Sequence, residues 1–311
     1  MDQQTFSVSN ECKSILITGA STGLGAQAAS YLANRGFTVF AGVRNISNVV
    51  PTSTPNIHYI PLDITQIESI DHALSLIKKH DAPPLWAIIN NAGICVPSPL
   101  EMLPADELRY QLETNVIGQL SITQKVLPLL RYRKGRIINI TSGLGNLALP
   151  YLGAYSIAQF AKEAFSDVLR RELYNSGVDV IVIQPGAINT PIWDKFLSVG
   201  RNIIANANSS LKRIYGRSFQ TFLETSPVHA QASPTTPDHF AQVVYLALTD
   251  KSPKTRYAVG QDSMDFRTKA RTLPTRTVDD ELSIVSPRSD EFITEFSTKQ
   301  TGNYYDKNKM E

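Results

Sequence analysis

The residues with chemistry to offer begin close to the start of the chain. Thr18-Gly19-Ala20-Ser21-Thr22-Gly23-Leu24-Gly25 follows a short β-branched run and leads into a helix-length segment. Glycines in such a turn let the backbone bend tightly and approach a pyrophosphate. The helix behind them offers unpaired N–H groups and the positive end of its dipole. A glycine pattern by itself is weak, but one set between a strand and a helix is the context that dinucleotide binding requires. An acid about 20 residues beyond the glycines would take the ribose 2′-hydroxyl of NAD. That place holds Val43 and then Arg44. A guanidinium pairs bidentately with phosphate, so Arg44 points to the 2′-phosphate of NADP rather than to NAD. His58, His72, His80, His229 and His239 have no partners at metal-ligand spacing, so no metal is expected. Cys95 has no neighbouring base and reads as an inert thiol.

Positioning these residues requires a scaffold, and the hydrophobic pattern supplies one. Apolar, β-branched runs lie at 14–18, 38–43, 57–62, 85–90, 136–141 and 178–184. Helix-length segments lie between or beyond them at 23–35, 66–80, 105–131, 154–175 and 237–249. Several runs are apolar almost throughout, as strands covered on both faces are. Right-handed crossovers then give an α/β fold: a doubly wound parallel sheet of the Rossmann type, in a single domain. Pro128 should kink the helix from Ala105, the third of these segments, or end its regular part. A polar arm at 1–12, a domain at 13–260 and a polar C-terminal extension at 261–311 complete the expected organisation. The extension shows no clear period.

The chain has 311 residues, with 30 Lys plus Arg against 28 Asp plus Glu. That balance argues against a nucleic-acid partner. No run reaches the ~18 apolar residues of a membrane span. The first residues are polar and lack the apolar core of a secretory signal. Two cysteines, Cys12 and Cys95, make no disulfide framework, so a cytoplasmic location is expected.

Taken in order, these features resemble the short-chain dehydrogenase/reductase family over about residues 13–260. The motifs are TGASTGLG at 18–25, Asp63 after the third strand, Asn90-Asn91-Ala92-Gly93, Asn115, Ser142, Tyr155 and Pro185-Gly186. In detail, AFSDVLRREL at 164–173 and the chain length are similar to the branch acting on retinoids, steroids and 3-hydroxybutyrate. The resemblance implies contacts from Gly19, Ser21, Thr22, Gly23, Leu24 and Gly25 to the phosphates. It implies that Asp63 and Ile64 meet the adenine, and that Asn91, Ala92 and Gly93 line the adenosine ribose. Pro185, Gly186, Ile188 and Thr190 would hold the nicotinamide. It also implies Ser142 as the hydrogen-bond donor to a substrate oxygen, Tyr155 as the proton donor or acceptor, and Asn115 as the fourth member of the catalytic group.

One position departs from the family. Its pattern is Tyr, three residues, Lys; here the stretch is Tyr155-Ser156-Ile157-Ala158-Gln159. Four residues is one helical turn, so Gln159 shares a face with Tyr155. In the family that lysine touches the nicotinamide ribose and stabilises the tyrosinate; an amide can attempt the first task only. A unit charge ~5 Å away at an effective dielectric of ~20 is worth about 3 kcal/mol, or roughly two pKa units. Tyr155 is therefore expected to titrate nearer about 10. Three readings stand open: an engineered substitution in an ordinary enzyme, a natural variant with slow or altered chemistry, and a binding protein on a dehydrogenase scaffold. Lys162, two turns on, is expected to snorkel from the helix edge rather than reach back.

The segment 190–235 mixes Ser, Asn and Gly with Trp193, Phe196, Leu197, Ile203, Ile204, Leu211, Ile214, Tyr215, Phe219 and Phe222. In the family this region caps the substrate, and its composition implies an apolar carbonyl or alcohol. Packing on the core or on another subunit is the competing reading. Leu120, Ile122, Val126, Phe160 and Phe165 exceed what one helix face needs, so a homodimer or homotetramer joined through the two long helices is expected.

Overall fold

The computed structural model describes residues 13–49, 54 and 56–283. The expected arm at 1–12 and the end of the extension lie outside them. Seven strands form one parallel sheet: β1 (Ser14–Thr18), β2 (Thr38–Val43), β3 (Ile57–Pro61), β4 (Leu85–Asn90), β5 (Arg136–Ile140), β6 (Asp179–Pro185) and β7 (Arg256–Val259). Their order is β3-β2-β1-β4-β5-β6-β7. All residues of β1, β4 and β5 are buried, as the near-continuous apolar runs require. The chain winds outward from β1 to β3, then returns to β4 and winds the other way. The reversal opens a crevice at the carboxyl ends of β1 and β4, where doubly wound sheets bind ligands.

Helices cover both faces. On one side α1 (Gly23–Ala33) and α8 (Pro237–Thr249) bring Ala28, Ala29, Leu32, Phe240, Val244 and Leu248 against the sheet. On the other, α2 (Ile67–Lys79) and α4 (Gly118–Arg133) bring Ile70, Ala73, Ile122, Val126 and Leu130. Ile122 and Val126 are thus core residues of this chain, not spare apolar surface, which corrects the sequence expectation for them. Leu120 and Phe160 remain exposed.

The long helix expected at 105–131 is divided. After α3 (Ala105–Leu112) comes a wider, π-type turn at Glu113–Ile117, and then α4. The widening places Asn115 inward, where its side chain binds the Ile94 backbone twice. Pro128 does not end α4, which runs on to Arg133. Five further elements lacked a clear signal. β7 is only four residues long. The extension forms α9 (Gln261–Thr272) and α10 (Thr275–Leu282), both strongly polar. The capping segment forms α6 (Ile192–Asn206) and α7 (Ser209–Ala232).

Candidate active site

The glycine turn joins β1 to α1. Gly19 and Gly23 both take positive φ, +66° and +60°, which suits glycine. A Cβ at Gly25 would lie 2.4 Å from the Gly19 carbonyl oxygen and 2.5 Å from Asn91 Nδ2. The turn is braced from β4: Thr18 Oγ1 accepts from Asn91 N and Ala92 N at 3.0 and 2.9 Å. Asn91 Nδ2 returns bonds to the carbonyls of Thr18 and Gly19, each 3.0 Å. Ser21 and Thr22 are exposed, and no side chain caps α1 at Thr22. The first N–H groups of α1 are left for a ligand.

Arg44 follows β2, exposed, with no hydrogen bond or ion pair among the described residues. Asp63 Oδ1 accepts from the Thr65 N–H and hydroxyl, which fixes the turn carrying buried Ile64. Thr190 lies against Gly23, where a Cβ would meet it at 3.4 Å, so the loop after β6 closes over the glycine turn. The close backbone approaches and the uncapped helix fit a dinucleotide.

The catalytic side is built by α5 (Gly153–Glu172) packing on β5 and β6. Ser142 ends the β5 run; its Oγ accepts from Leu144 N at 3.2 Å and donates to the Pro185 carbonyl at 3.4 Å. The second contact is long and weak, so the hydroxyl proton is available to another acceptor. Tyr155 lies among Cys95, Leu149, Trp193 and Phe222. Burial pushes its pKa up to about 12, with Cys95 adding to the rise; the Gln159 amide and the Ser142 hydroxyl oppose it by hydrogen bonding. The expected value near the ordinary phenol is corrected upward, because desolvation adds to the loss of a neighbouring cation. Burial also raises the Cys95 thiol, which makes it a poor nucleophile.

Gln159 is buried; its Nε2 donates to the Thr141 carbonyl at 3.2 Å, and its Oε1 has no partner among the described residues. Lys162 does not snorkel. It is 2% exposed, and its amine donates to the Ile140 carbonyl. Side chains on a helix lean toward its N-terminus, which carries this one inward along β5 instead of out to solvent. Desolvation brings its pKa down to about 7, with Glu163 pulling the other way. Glu163 Oε1 accepts from Thr141 and Gln184 at 2.6 and 2.9 Å, and Oε2 from Arg256 at 2.9 Å. Sequence reasoning passed over Glu163 and Arg256, since neither stands at a motif position.

Phe196 and Phe219 are buried with Leu223 and Tyr151, and Trp193, Tyr215, Phe222 and Tyr155 pack against that cluster. Two polar contacts tie this cap down: Tyr151 to Ser218 at 2.8 Å and Tyr215 to Glu101 at 2.8 Å. His58 and His80 stack at 4.1 Å beside Phe40, and no metal-binding cluster occurs among the described residues. None of the described helices is long and apolar enough to cross a membrane.

Residues 13–198 match the short chain dehydrogenase family. The chain belongs to that family. A 3-amino-tetrahydro-pyrrolizinone reductase of Xenorhabdus hominickii is 51% identical over 281 residues, which is 90% of this chain and 98% of the relative. The 17-beta-hydroxysteroid dehydrogenase type 6 of Bos taurus is 33% identical, with 86% of each chain covered. Mouse retinol dehydrogenase 16 is 32% identical at the same coverage. Among solved structures, a short-chain dehydrogenase from Burkholderia cenocepacia in complex with NADP superposes with a TM-score of 0.68 at 24% identity, covering 89% of this chain and all of that one. As a short-chain dehydrogenase, the chain carries its glycine turn at the end of β1 and Ser142 just beyond β5.

Proposed function

We propose that this chain is an NADP(H)-dependent reductase acting on the carbonyl of a small, mainly apolar molecule. The observation that carries the reading is the pairing of Ser142 with a Tyr155 whose pKa sits near 12. Such a phenol is protonated throughout the neutral range, so it holds a proton to give in reduction, although its raised pKa makes it a weaker acid than an ordinary tyrosine, and it is not available as a base. The dinucleotide, when bound, supplies the hydride. Ser142 turns its weakly held proton to the substrate oxygen and polarises the carbonyl. Tyr155 gives its proton to that oxygen as negative charge develops there. Asn115 keeps the widened turn and the Ile94 backbone in register beneath Gly93. The apolar cap at 190–235 excludes water, which strengthens each of these interactions.

Arg44, free and at the end of β2, supports NADP over NAD. For substrate class we favour a compact heterocyclic carbonyl of the pyrrolizinone kind, because the relative named for one is far more similar than those named for steroids or retinol. A homodimer through exposed Leu120, Ile157 and Phe160, in the cytoplasm, completes the proposal. Gln159 favours a second reading, a dinucleotide-binding scaffold without turnover. The deciding experiment assays NADPH and NADH consumption with pyrrolizinones, ketosteroids and apolar aldehydes, using Tyr155→Phe as control. NADPH-dependent turnover lost in Tyr155→Phe is the expected result. Tight NADPH binding with no turnover on any carbonyl would favour the scaffold.

A further inference from the structure

We propose that Asp262, at the start of α9, is a positioning residue that clamps the loop after β6 and, with Ser263, locks it to the loop carrying Ser142. The inference rests on reading 185–190 as the nicotinamide side of the proposed site. Asp262 Oδ2 accepts from Ala187 N at 2.6 Å, and Oδ1 accepts from Ser263 N at 2.9 Å. A Cβ at Gly186 would fall 1.8 Å from Asp262 Oδ1, so the carboxylate fills the place that a side chain would take. Ser263 is fully buried, and its hydroxyl donates to the Gln184 carbonyl at 2.8 Å. Its Cα would meet a Cβ at Gly143 at 3.0 Å, and Gly143 is the residue after Ser142.

Two successive residues of one helix therefore touch both halves of the catalytic side. The loop is tied from its far end as well, where the Trp193 indole donates to the Ile188 carbonyl at 2.9 Å. The Asp262 bond is charge-assisted and short. Without it, Ala187 N loses its acceptor, while the Gly186 bond to Val259 and the Ser263 and Trp193 bonds hold the loop only on either side of that residue. A loop displaced by about 1 Å at a hydride-transfer site can cost about 10²-fold in rate.

The test measures NADPH affinity by calorimetry and kcat on the full chain, with Asp262→Ala, Asp262→Asn and Asp262→Glu. Fluorescence of Trp193, read in a Trp86→Phe background because the chain has two tryptophans, serves as a local report on the loop. Asp262→Ala is expected to weaken NADPH binding about tenfold and to change the Trp193 emission. Asp262→Asn keeps an acceptor for Ala187 N and is expected to stay within about threefold of the parent. Parental affinity and emission in a folded Asp262→Ala protein would overturn the proposal. Where Asp262→Ala fails to fold, Asp262→Glu decides: it keeps the charge but displaces the turn, and unchanged affinity there overturns the clamp. A parent that does not bind NADPH at all overturns the proposed cofactor together with the clamp, whereas binding equal in parent and variant overturns the clamp alone.

Discussion

At the glycine turn each bracing polar contact is matched. Thr18 Oγ1 takes two N–H groups, and Asn91 Nδ2 serves two carbonyls. On the inner face of α5 the account is open. Ser156 Oγ and Gln159 Oε1 are buried without partners among the described residues, and the Lys162 amine makes a single bond to a carbonyl. Both regions lie at the carboxyl end of the same sheet. The difference teaches where each region's chemistry resides. The turn presents backbone braced by two side chains and is closed at Gly25 to any added atom, whereas the α5 face presents a neutral amide and a buried amine. A neutral amide stands one turn from Tyr155, and a cation lies two turns away, buried and easily deprotonated.

The sharpest test of the turn is Gly25→Ala. Its methyl would enter space held by the Gly19 carbonyl and Asn91, and NADPH binding is expected to weaken by at least about 100-fold, with the fold retained. Near-parental binding by calorimetry would show the turn to be looser than its distances say. On the other side, Gln159→Lys is expected to help. A cation beside Tyr155 should lower the basic limb of the pH profile by roughly two units and raise alcohol oxidation at neutral pH about 30–100-fold. Carbonyl reduction, which uses the protonated phenol, should gain less. A parent already brisk in oxidation, or a variant without gain, would break the comparison.

Arg44→Asp probes the cofactor side more gently. Removing a phosphate partner and adding a ribose acceptor should reverse the NADPH-over-NADH preference by about tenfold in each direction. Titration of both dinucleotides reads it directly.

The smallest effect is expected from Lys162→Met, and it concerns stability. The folded pKa of Lys162 is lowered to about 7 from 10.5. Between those values the unfolded chain binds more protons, so this residue makes stability rise with pH through that window. Its penalty is complete below neutral pH and absent above the unfolded value. Lys162→Met should thus stabilise the protein by about 1–3 kcal/mol at neutral pH and by nothing at strongly basic pH, as read by denaturant unfolding. Equal gains at both would mean that packing, not charge, sets the difference.

Much of the scaffold was written in the hydrophobic pattern. The runs at 14–18, 38–43 and 85–90 coincide with β1, β2 and β4, because strands buried on both faces leave little room for other residue types. The helix at 237–249 likewise matches α8, which Thr236 opens with a capping box and Pro237 at its first position. β7 escaped notice because four residues of alternating burial carry too little signal. The helices α9 and α10 escaped because they are polar and bury only Ser263 and Val278. Within the candidate site, Ser142 and Tyr155 follow from the family resemblance, and Gln159 from its place one helical turn after Tyr155. Lys162 was misjudged because helical rise gives a distance along the axis but not the depth of the groove on β5. Asp262 was invisible for a different reason: its partner Ala187 is 75 residues away in the chain, and no local pattern marks such a pair.

That separation also sets an order of completion. Translation proceeds from the N-terminus, and domains gather structure as the chain emerges. A nascent chain that has emerged through Gly93 already holds every residue of the glycine turn and of the Asn91 bonds that brace it in the folded protein. The loop at 184–188 lacks its clamp until Asp262 is made. Premature termination anywhere between these points would leave a polypeptide that has the glycine turn but lacks the Asp262 acceptor for Ala187 N, so the loop after β6 gains that bond only once α9 has docked.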